Sequence, residues 1–412
     1  MIFRPMDKIN KTERLQAFRA DSPYKLFLVS IVFSALGYGI YKGVIDNFFA
    51  EAVGMTEFDR GVTEFFRELP GLLLVFILAA FYTFSAERFY KIGAVIVLIG
   101  MAIVSVVPST KIWAILATFV YSLGDHIQIG MKNTLSLQYA LEGRGGLALG
   151  HQNAVSQIGN LLGYAVVIVA FLFFLSGKPY KEFFMASAIL MAIGMFVSFG
   201  MRTQSATNKN NSRFYFRKKY RKFYMLEVFY GARKQVFFTF GPYVLILLYG
   251  ASARDISFLY AISAIACFVM SPVVGRIIDK LGYKTIMIAD TLLLVVVCFF
   301  YGFAHHLFSM KTAFYVCCVN YILDSVISLA SMATNVYVQD ISETKDEIQK
   351  TVSTGLSVNH LITVLIALFG GWIWKTLGVE TLFILSAVLG LCNSAYAATV
   401  KTGAQLGIQK KE

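Results

Sequence analysis

Charged side chains recur at helical spacing inside segments that are otherwise apolar enough to cross a membrane. The stretch GVTEFFRELPGLLLVFILAAF, residues 61–81, carries Glu64, Arg67 and Glu68 in its first turns. Residues three or four apart lie on one face of a helix, so these charges form a stripe. A charge at membrane depth costs free energy unless it is paired or faces water. The stretch therefore predicts an ion-pair network or a hydrated cavity.

A second charged stripe lies in the preceding apolar segment, where Tyr38, Lys42 and Asp46 are each four residues apart. Consecutive membrane helices run in opposite directions, so both stripes reach a similar depth in the outer half of the membrane. We therefore predict a contact between Lys42 or Asp46 and the region of Arg67 and Glu68. The alternative is a permanent ion-pair lattice that only fastens the two helices together.

The overall composition is that of a membrane protein. Hydrophobic residues make up 57% of the chain, charged residues only 15%, and the mean hydropathy is +0.64. A helix that crosses a bilayer needs about 20 apolar residues. We therefore predict an all-α membrane protein with twelve transmembrane helices. The predicted spans are residues 26–49, 59–85, 92–107, 112–136, 147–175, 183–201, 223–249, 256–274, 285–303, 312–336, 351–374 and 381–400.

Polar and basic residues predict how the chain is divided. A stretch that is first polar and then strongly basic, RTQSATNKNNSRFYFRKKYRKF, separates the sixth and seventh spans. The first span is long and a second follows closely, so a cleaved signal peptide is not expected. The predicted divisions are a cytoplasmic amino-terminal tail (1–25), a six-helix bundle (26–201), a basic cytoplasmic linker (202–222), a second six-helix bundle (223–400) and a cytoplasmic tail (401–412).

The same basic residues predict orientation. Lys and Arg concentrate on the side that holds both termini, so we expect both termini to be cytoplasmic in the cytoplasmic (inner) membrane. The net charge of +13 has the same explanation, together with contact to anionic lipid, and nucleic-acid binding is not expected. A weak internal repeat supports two halves, because GMTEFD at residues 54–59 aligns with GASARD at residues 250–255.

The most specific local motif is GRIIDKLGYK, residues 275–284, which we place in a cytoplasmic loop after the eighth span. It resembles the loop signature of the major facilitator superfamily (MFS), and the six-plus-six organisation extends that resemblance over the whole chain. The resemblance implies two pseudo-symmetric six-helix bundles. It also implies a gate in which Asp279, followed by basic residues up to Lys284, forms a charge relay, and in which Gly275 and Gly282 allow close backbone approach.

The corresponding stretch of the first half, FSAERFYKIG, departs from this pattern. Glu87 and Arg88 stand for the acidic and basic residues of the gate, but neither glycine is present. We therefore expect an asymmetric gate. The alternative for the second-half motif is an ordinary tight turn flanked by charges that set the topology.

Intramembrane charges lie on the first, second, fourth, seventh and tenth spans, and the resemblance implies that the first, fourth, seventh and tenth helices line the central cavity. Asp290 on the ninth span does not fit this distribution, and we expect it to belong to the gate around Asp279. Arg233 and Lys234 lie deep in the seventh span, where they need an anion such as Glu227, Asp324 or a group on the solute. The candidate solute-binding residues are Tyr38, Lys42, Arg67, Gln128, Lys132, Asn153, Gln157, Asn160, Arg233, Lys234, Asn320 and Asp324.

Carboxylates at membrane depth are the candidates for proton coupling, because such a group can exchange a proton when a neighbouring cation moves. The candidates are Asp46, Glu68, Asp125 and Asp324, with Asp125 and Asp324 preferred. His151 and His360 titrate in the right range, although a single helix-borne histidine is more often a hydrogen-bonded packing residue.

Other kinds of chemistry find little support. There is no Gly-Lys-Ser or Gly-Lys-Thr nucleotide loop, the five cysteines lie in apolar segments without metal-ligand spacing, and the adjacent His305 and His306 are weak evidence for a metal. We expect no enzymatic activity, no cofactor, no metal site and a monomer in the lipid bilayer.

The sequence thus predicts a secondary active transporter that moves a small polar, charged (anionic) solute by alternating access coupled to protons. One alternative is a proton-coupled multidrug efflux antiporter with an aromatic pocket, although the fifth span, GNLLGYAVVIVAF, lacks the proline typical of that group. The other alternative is a membrane receptor that transports nothing.

Overall fold

The computed structural model describes residues 16–81, 83–141, 144–173, 177–202, 216–402 and 405. Twelve long helices account for most of these residues, and no strand is present among them, which confirms the predicted fold class. The helices are α1 Tyr24–Ala52, α2 Glu57–Ala80, α3 Ala86–Val106, α4 Lys111–Tyr139, α5 Gly145–Phe173, α6 Tyr180–Phe199, α7 Arg221–Tyr249, α8 Ala253–Leu281, α9 Tyr283–Leu307, α10 Met310–Ile341, α11 Lys345–Leu377 and α12 Val379–Ala398.

Ten of these helices are long and apolar enough to cross a membrane. The two outside this set, α2 and α7, carry charged residues along much of their length. Both lie inside the bundle against other helices, so neighbouring protein replaces lipid around their charges. The chain is therefore a multi-pass membrane protein whose most polar helices are its inner ones.

Helix packing repeats after six helices. In the first half α1 packs on α5 and α6, α3 on α4 and α6, and α2 on α4. In the second half α7 packs on α11 and α12, α9 on α10 and α12, and α8 on α10. Between the halves, α2 lies along α11 and α5 lies along α8. The six-helix repeat relates these two pairings to each other, because it matches α2 with α8 and α5 with α11. The structure is thus two pseudo-symmetric six-helix bundles, as predicted.

The aligned hexapeptides that indicated a duplication adopt the same local structure. Gly54 and Gly250 have φ of 69° and 70°, a left-handed conformation that glycine adopts without strain. Two residues later, Thr56 and Ser252 each cap a helix by accepting a hydrogen bond from the backbone N–H three residues on. The same turn and the same cap therefore start α2 and α8.

One backbone prediction is wrong. The motif at residues 275–284 is not a loop along most of its length, because α8 continues to Leu281 and ends only at Gly282, where φ is 80°. Gly275 and Asp279 thus lie one turn apart on a helix. Pro242 does not interrupt the seventh helix, since α7 runs through it, and the nearby carbonyl of Gly241 accepts a hydrogen bond from the Tyr301 hydroxyl (2.7 Å).

The halves approach each other closely near the start of α2, on the side that the charge distribution predicts to be outside. We call this the outer side. A Cβ atom on Gly61 would lie 2.5 Å from the carbonyl oxygen of Ala367 and 3.0 Å from Cα of Gly371 on α11. Glycine is required here because any side chain would push the two helices apart.

Candidate functional site

An alternating chain of charges occupies the interface of α1 and α2. Lys42 contacts Asp46 (2.9 Å), Asp46 contacts Arg60 (3.1 Å) and Arg60 contacts Glu64 (2.8 Å). Glu64 in turn receives two hydrogen bonds from Arg67, whose guanidinium also pairs with Glu68. The chain holds three cations and three carboxylates, so it is neutral as a unit. We call these six residues the charge lattice.

The charge lattice is largely closed to water. Glu64 is fully buried, and Asp46 and Arg60 are only 1% and 3% exposed. Beside it lies a cavity of about 30 Å³, lined by Tyr38, Asp125 and lattice side chains. That volume holds one or two water molecules, so a solute can enter only if the surrounding helices move.

Side chains of the second half complete the charge lattice. Tyr260 on α8 donates to Asp46 (2.8 Å), and Gln235 on α7 donates to Glu64 (3.0 Å). Phe238 on α7 lies between two lattice cations, with its ring centroid 5.2 Å from Lys42 Nζ and 4.8 Å from Arg67 Cζ. Hydrogen bonds and cation–π contacts therefore tie the lattice to both halves.

Glu68, the last residue of the charge lattice, lies next to a pair of histidines. Its Oε2 atom accepts hydrogen bonds from Thr363 Oγ1 and from His360 Nδ1 on α11, both at 2.9 Å. The His360 ring lies 5.0 Å from the ring of His126 on α4, centroid to centroid. A carboxylate and two imidazoles from three helices thus meet near the centre of the molecule.

Four further charged residues lie near the middle of their helices without an ion pair. Asp125 and Lys132 on α4 are half-buried, Lys234 on α7 is exposed within the bundle, and Asp324 on α10 is buried. Among the described residues, none of the four has a partner at ion-pair distance. Lys234 is in electrostatic range of Asp324 and of Glu227. These groups supply charge that is not already neutralised by a contact.

Arg233 points away from this region. Its guanidinium is 1% exposed and pairs with Asp290 on α9 (2.8 Å), and the Ser386 hydroxyl of α12 donates to its carbonyl oxygen (3.3 Å). The pair fastens α7 to the helices behind it. The contact explains why a carboxylate occurs on the ninth span, and it places Asp290 with Arg233 instead of with the gate. We therefore leave Arg233 out of the proposed solute site.

The remaining candidate solute residues divide into three groups. Gln128 is buried, and its side chain packs against Gly93 of α3 instead of the central cavity. Asn320 donates to the carbonyl oxygen of Val316 on its own helix (2.8 Å). On α5, Asn153 and Gln157 are exposed, whereas Asn160 is half-buried. Asn160 donates to Gln157 and Asn153 accepts from Gln152, both at 3.4 Å, so the α5 amides pair with side chains of their own helix, as Asn320 does with its own backbone.

The candidate gating residues lie at helix ends on the inner side. Asp279 and Arg88 are exposed, and neither has an ion pair among the described residues. Glu87 is buried and accepts a hydrogen bond from Tyr139 of α4 (2.5 Å), while Lys284 donates to the carbonyl oxygen of Val400 (3.0 Å). Each of these bonds stays within one half, so the gating roles remain predictions.

Sequence reasoning missed several residues that complete the charge lattice. Arg60 was available from spacing, because it precedes Glu64 by four residues and continues the same stripe. Gln235, Phe238 and Tyr260 carried no such signal, since they reach the lattice from the other half of the chain. The predicted contact between the two stripes runs through Arg60, which links Asp46 to the α2 charges.

The family follows from comparison of the whole chain with known proteins. The family model of the Major Facilitator Superfamily matches residues 27–342 and 223–405. The chain belongs to this superfamily. The confirmed resemblance accounts for the six-helix repeat of an MFS transporter and for polar residues on its inner helices. A search of curated protein sequences gives no significant match.

Solved MFS structures share the fold at low sequence identity. A mutant of the nucleoside transporter NupG has a TM-score of 0.73 at 15% identity and covers 92% of this chain and 100% of its own. A POT family transporter in complex with 5-aminolevulinic acid has a TM-score of 0.73 at 12% identity, with coverages of 94% and 97%. A bacterial homolog of the human lysosomal transporter Spinster, inward-facing and unoccupied, has a TM-score of 0.64 at 13% identity, with coverages of 91% and 96%.

Proposed function

We propose that this MFS protein is a secondary active transporter that moves a small anionic solute across the cytoplasmic membrane by alternating access, coupled to protons. The observation that carries the proposal is a contrast between two sets of charged residues within the helices. On the outer side the charges neutralise one another in the buried charge lattice. Near the middle, Asp125, Lys132, Lys234 and Asp324 carry charge with no ion-pair partner among the described residues.

Alternating access is supported by a reciprocal pair of bonds on the outer side. Asn47 of α1 donates to the carbonyl oxygen of Ala251 (2.8 Å), and Tyr243 of α7 donates to that of Met55 (2.6 Å). The repeat alignment matches Asn47 with Tyr243 and Met55 with Ala251, so the two bonds are equivalent. A side chain of each half thus binds the outer turn of the other half. Such a symmetric closure can open on one side as the other side closes, which is the motion expected of two rocking repeats.

An anionic solute is supported by the two unpaired lysines. Lys132 lies on α4 of the first half and Lys234 on α7 of the second half, so a solute carboxylate or phosphate held between them would contact both repeats. The fold neighbours named above include a nucleoside transporter and a transporter in complex with 5-aminolevulinic acid, and both of these named molecules are small and polar. A lipophilic drug is a poorer fit, because the ring of Phe238 is already covered by Lys42 and Arg67.

Proton coupling is supported by the freedom of two carboxylates. Asp46 and Glu68 are each held by a neighbouring cation, which stabilises the charged form. Asp125 and Asp324 have no such contact among the described residues, so a moving lysine can change their proton occupancy. We therefore assign the coupling proton to Asp125 or Asp324 and treat Asp46 and Glu68 as structural charges of this state.

The first experiment is a binding screen of the purified protein by thermal shift, with organic anions, sugars, amino acids, peptides and cationic dyes. We expect stabilisation by an anion class. Stabilisation by cationic dyes alone would contradict the proposal and favour drug efflux. With the anion identified, Lys234→Gln should weaken its binding about 10- to 100-fold, since a charge-assisted hydrogen bond contributes roughly 1.5–3 kcal/mol.

The matched control for Lys234→Gln is Lys375→Gln, which removes an exposed lysine at the outer end of α11. The dissociation constant of the Lys375→Gln protein for the anion, measured by titration calorimetry, should equal that of the parent protein. Equal affinity of the parent protein and Lys234→Gln would remove Lys234 from the site.

A further expected result concerns the inner end of α8. Asp279→Asn should slow transport in liposomes while leaving the yield and melting temperature nearly unchanged. The side chain is exposed and makes no ion pair among the described residues, so its loss costs this state little. A gate residue acts instead on the balance between the two states. Asp279→Glu, which keeps the charge, is the control and should transport faster than Asp279→Asn; equal rates for all three proteins would leave Asp279 without a gating role.

A further inference from the structure

Glu68, His126 and His360 form a cluster that the transport proposal does not use. One ligand-type atom from each residue, an oxygen or an imidazole nitrogen, lies within 4.8 Å of the other two. Glu68 and His126 are buried, and 18% of the His360 side chain is exposed. The residues come from α2, α4 and α11, so no sequence spacing could have revealed the cluster.

The environment of His126 leaves one ring nitrogen free to bind a ligand. Its Nδ1 atom lies 2.9 Å from the backbone carbonyl oxygen of Ser122 and 3.0 Å from the Ser122 hydroxyl. Donation to the carbonyl places the ring proton on Nδ1 and leaves the Nε2 lone pair unshared; among the described residues Nε2 has no hydrogen-bond partner. A backbone acceptor of this kind fixes the tautomer of histidines that bind metals.

Gly71 makes room for both rings. A Cβ atom at this position would lie 2.8 Å from Nε2 of His126 and 2.8 Å from Nδ1 of His360. The two nitrogens therefore converge over a stretch of α2 that has no side chain. The backbone is thus shaped around the cluster, one turn from Glu68.

The distances between the ligand atoms suit a single metal ion. Zinc binds imidazole nitrogen and carboxylate oxygen at about 2.0–2.2 Å, which places two ligands of one ion roughly 3–3.5 Å apart. Glu68 Oε2 and His360 Nδ1 are already 2.9 Å apart. A ligand nitrogen of His126 lies within 4.8 Å of the ligand atoms of the other two residues, so a small closure of the three helices would bring it to the same centre. Two imidazoles and one carboxylate are a donor set for borderline divalent metals.

We propose that Glu68, His126 and His360 form a binding site for one divalent transition-metal ion, such as Zn²⁺, between the two halves of the protein. When the ion binds, it takes the place of the hydrogen bond between His360 and Glu68. The proton on His360 Nδ1 moves to Nε2 if the ring is neutral, and is released to water if the ring is charged. The ion ties α2 and α4 of the first half to α11 of the second.

The surrounding charges set the strength of this site. Arg67 pairs with Glu68 and opposes a second cation beside it. Asp125 precedes His126 and adds a carboxylate without an ion pair among the described residues, which favours the cation. Thr363 donates to Glu68 Oε2 and orients the carboxylate (2.9 Å). Three protein ligands leave room for water or a solute group in the remaining coordination positions.

The test begins with a variant that removes the other histidine cluster of the molecule, in which His305 and His306 contact Glu380 on the outer side. In this H305Q/H306Q background the full-length protein in detergent is titrated with Zn²⁺ against a chelating dye and with Co²⁺ by visible absorption. We expect one Zn²⁺ per chain, a higher melting temperature with Zn²⁺, and a Co²⁺ band typical of nitrogen ligands.

The decisive variants are His360→Gln and, separately, His126→Gln in the same background. Loss of even a supporting partner weakens metal binding about 10- to 100-fold, so loss of a ligand should weaken Zn²⁺ binding at least that much and remove the Co²⁺ band. His151→Gln, which alters a histidine outside the cluster, is the control and should bind like the background protein. Melting temperatures without metal identify a variant that has failed to fold, and Gly71→Ala then serves as an independent way to close the site.

The absence of saturable Zn²⁺ binding in the H305Q/H306Q background would overturn the proposal. Unchanged binding in both His126→Gln and His360→Gln would also overturn it, because the metal would then lie elsewhere. These measurements need no solute and no liposomes, so they stand or fall separately from the transport function.

Discussion

Asp324→Asn is expected to abolish uphill accumulation of the solute while sparing exchange of solute for solute. Asp324 is buried near the middle of α10 and has no ion-pair partner among the described residues. Exchange needs only a cavity that reorients with solute bound, whereas accumulation needs a proton to travel with it. Asparagine keeps the size of the side chain and its hydrogen bonds but cannot carry the proton.

The measurement uses protein in liposomes with an imposed pH gradient and a labelled solute from the binding screen. Asp125→Asn is tested beside Asp324→Asn, and Glu343→Gln, which changes a surface carboxylate with 70% of its side chain exposed, is the control. Accumulation that follows sodium instead of the pH gradient would replace the proton with Na⁺. Equilibration under either gradient would make the protein a facilitator. If both variants accumulate solute like the parent, the proton site lies elsewhere and Asp46 and Glu68 become the next candidates.

The second large effect is expected at Glu64, the central carboxylate of the charge lattice. Glu64→Gln removes the charge that Arg60 and Arg67 share and to which Gln235 donates. Breaking a buried ion pair by removing one partner costs about 3–5 kcal/mol, because the other charge stays buried without compensation. We therefore expect a clear fall in the melting temperature of the detergent-solubilised protein, measured by the fluorescence of a thiol-reactive dye.

Three further variants separate charge balance from simple loss of a contact. Lys111→Gln breaks the more exposed ion pair between Lys111 of α4 and Asp59 of α2, and it should cost no more than about 1 kcal/mol. Glu64→Met combined with Arg67→Met removes one charge of each sign, so the double variant should be more stable than Glu64→Met alone. A Glu64→Gln protein that melts like the parent would mean that the charge lattice contributes nothing to this state.

The two halves of the transporter contribute different kinds of side chain to the charge lattice and its surroundings. In the repeat alignment Lys42 corresponds to Phe238 and Glu64 to Tyr260. The first half therefore supplies the charges, and the second half supplies aromatic side chains that contact them. A duplicated backbone has been kept while the chemistry of its two copies has become complementary.

Local patterns in the sequence determined the helices and the charge stripes. Apolar runs of spanning length produce helices because a backbone in lipid has to satisfy its own hydrogen bonds. Spacings of three and four residues within one helix are enough to predict that Lys42 contacts Asp46 and that Glu64 contacts Arg67, because both partners lie on the same face of the same helix. Helix ends were less well predicted, because α8 and α11 continue past the apolar core into polar residues.

Contacts between helices were decided only by the tertiary structure. Arg233 and Lys234 are neighbours in sequence, but successive residues point about 100° apart around a helix, so Arg233 pairs with Asp290 of α9 whereas Lys234 lies in electrostatic range of Asp324 on α10. Which of the two turns inward depends on how α7 is rotated against its neighbours, and a single helical pattern does not record that rotation. His126 and His360 meet for the same reason: their contact depends on the packing of α4 and α11 on either side of Gly71, more than two hundred residues apart along the chain.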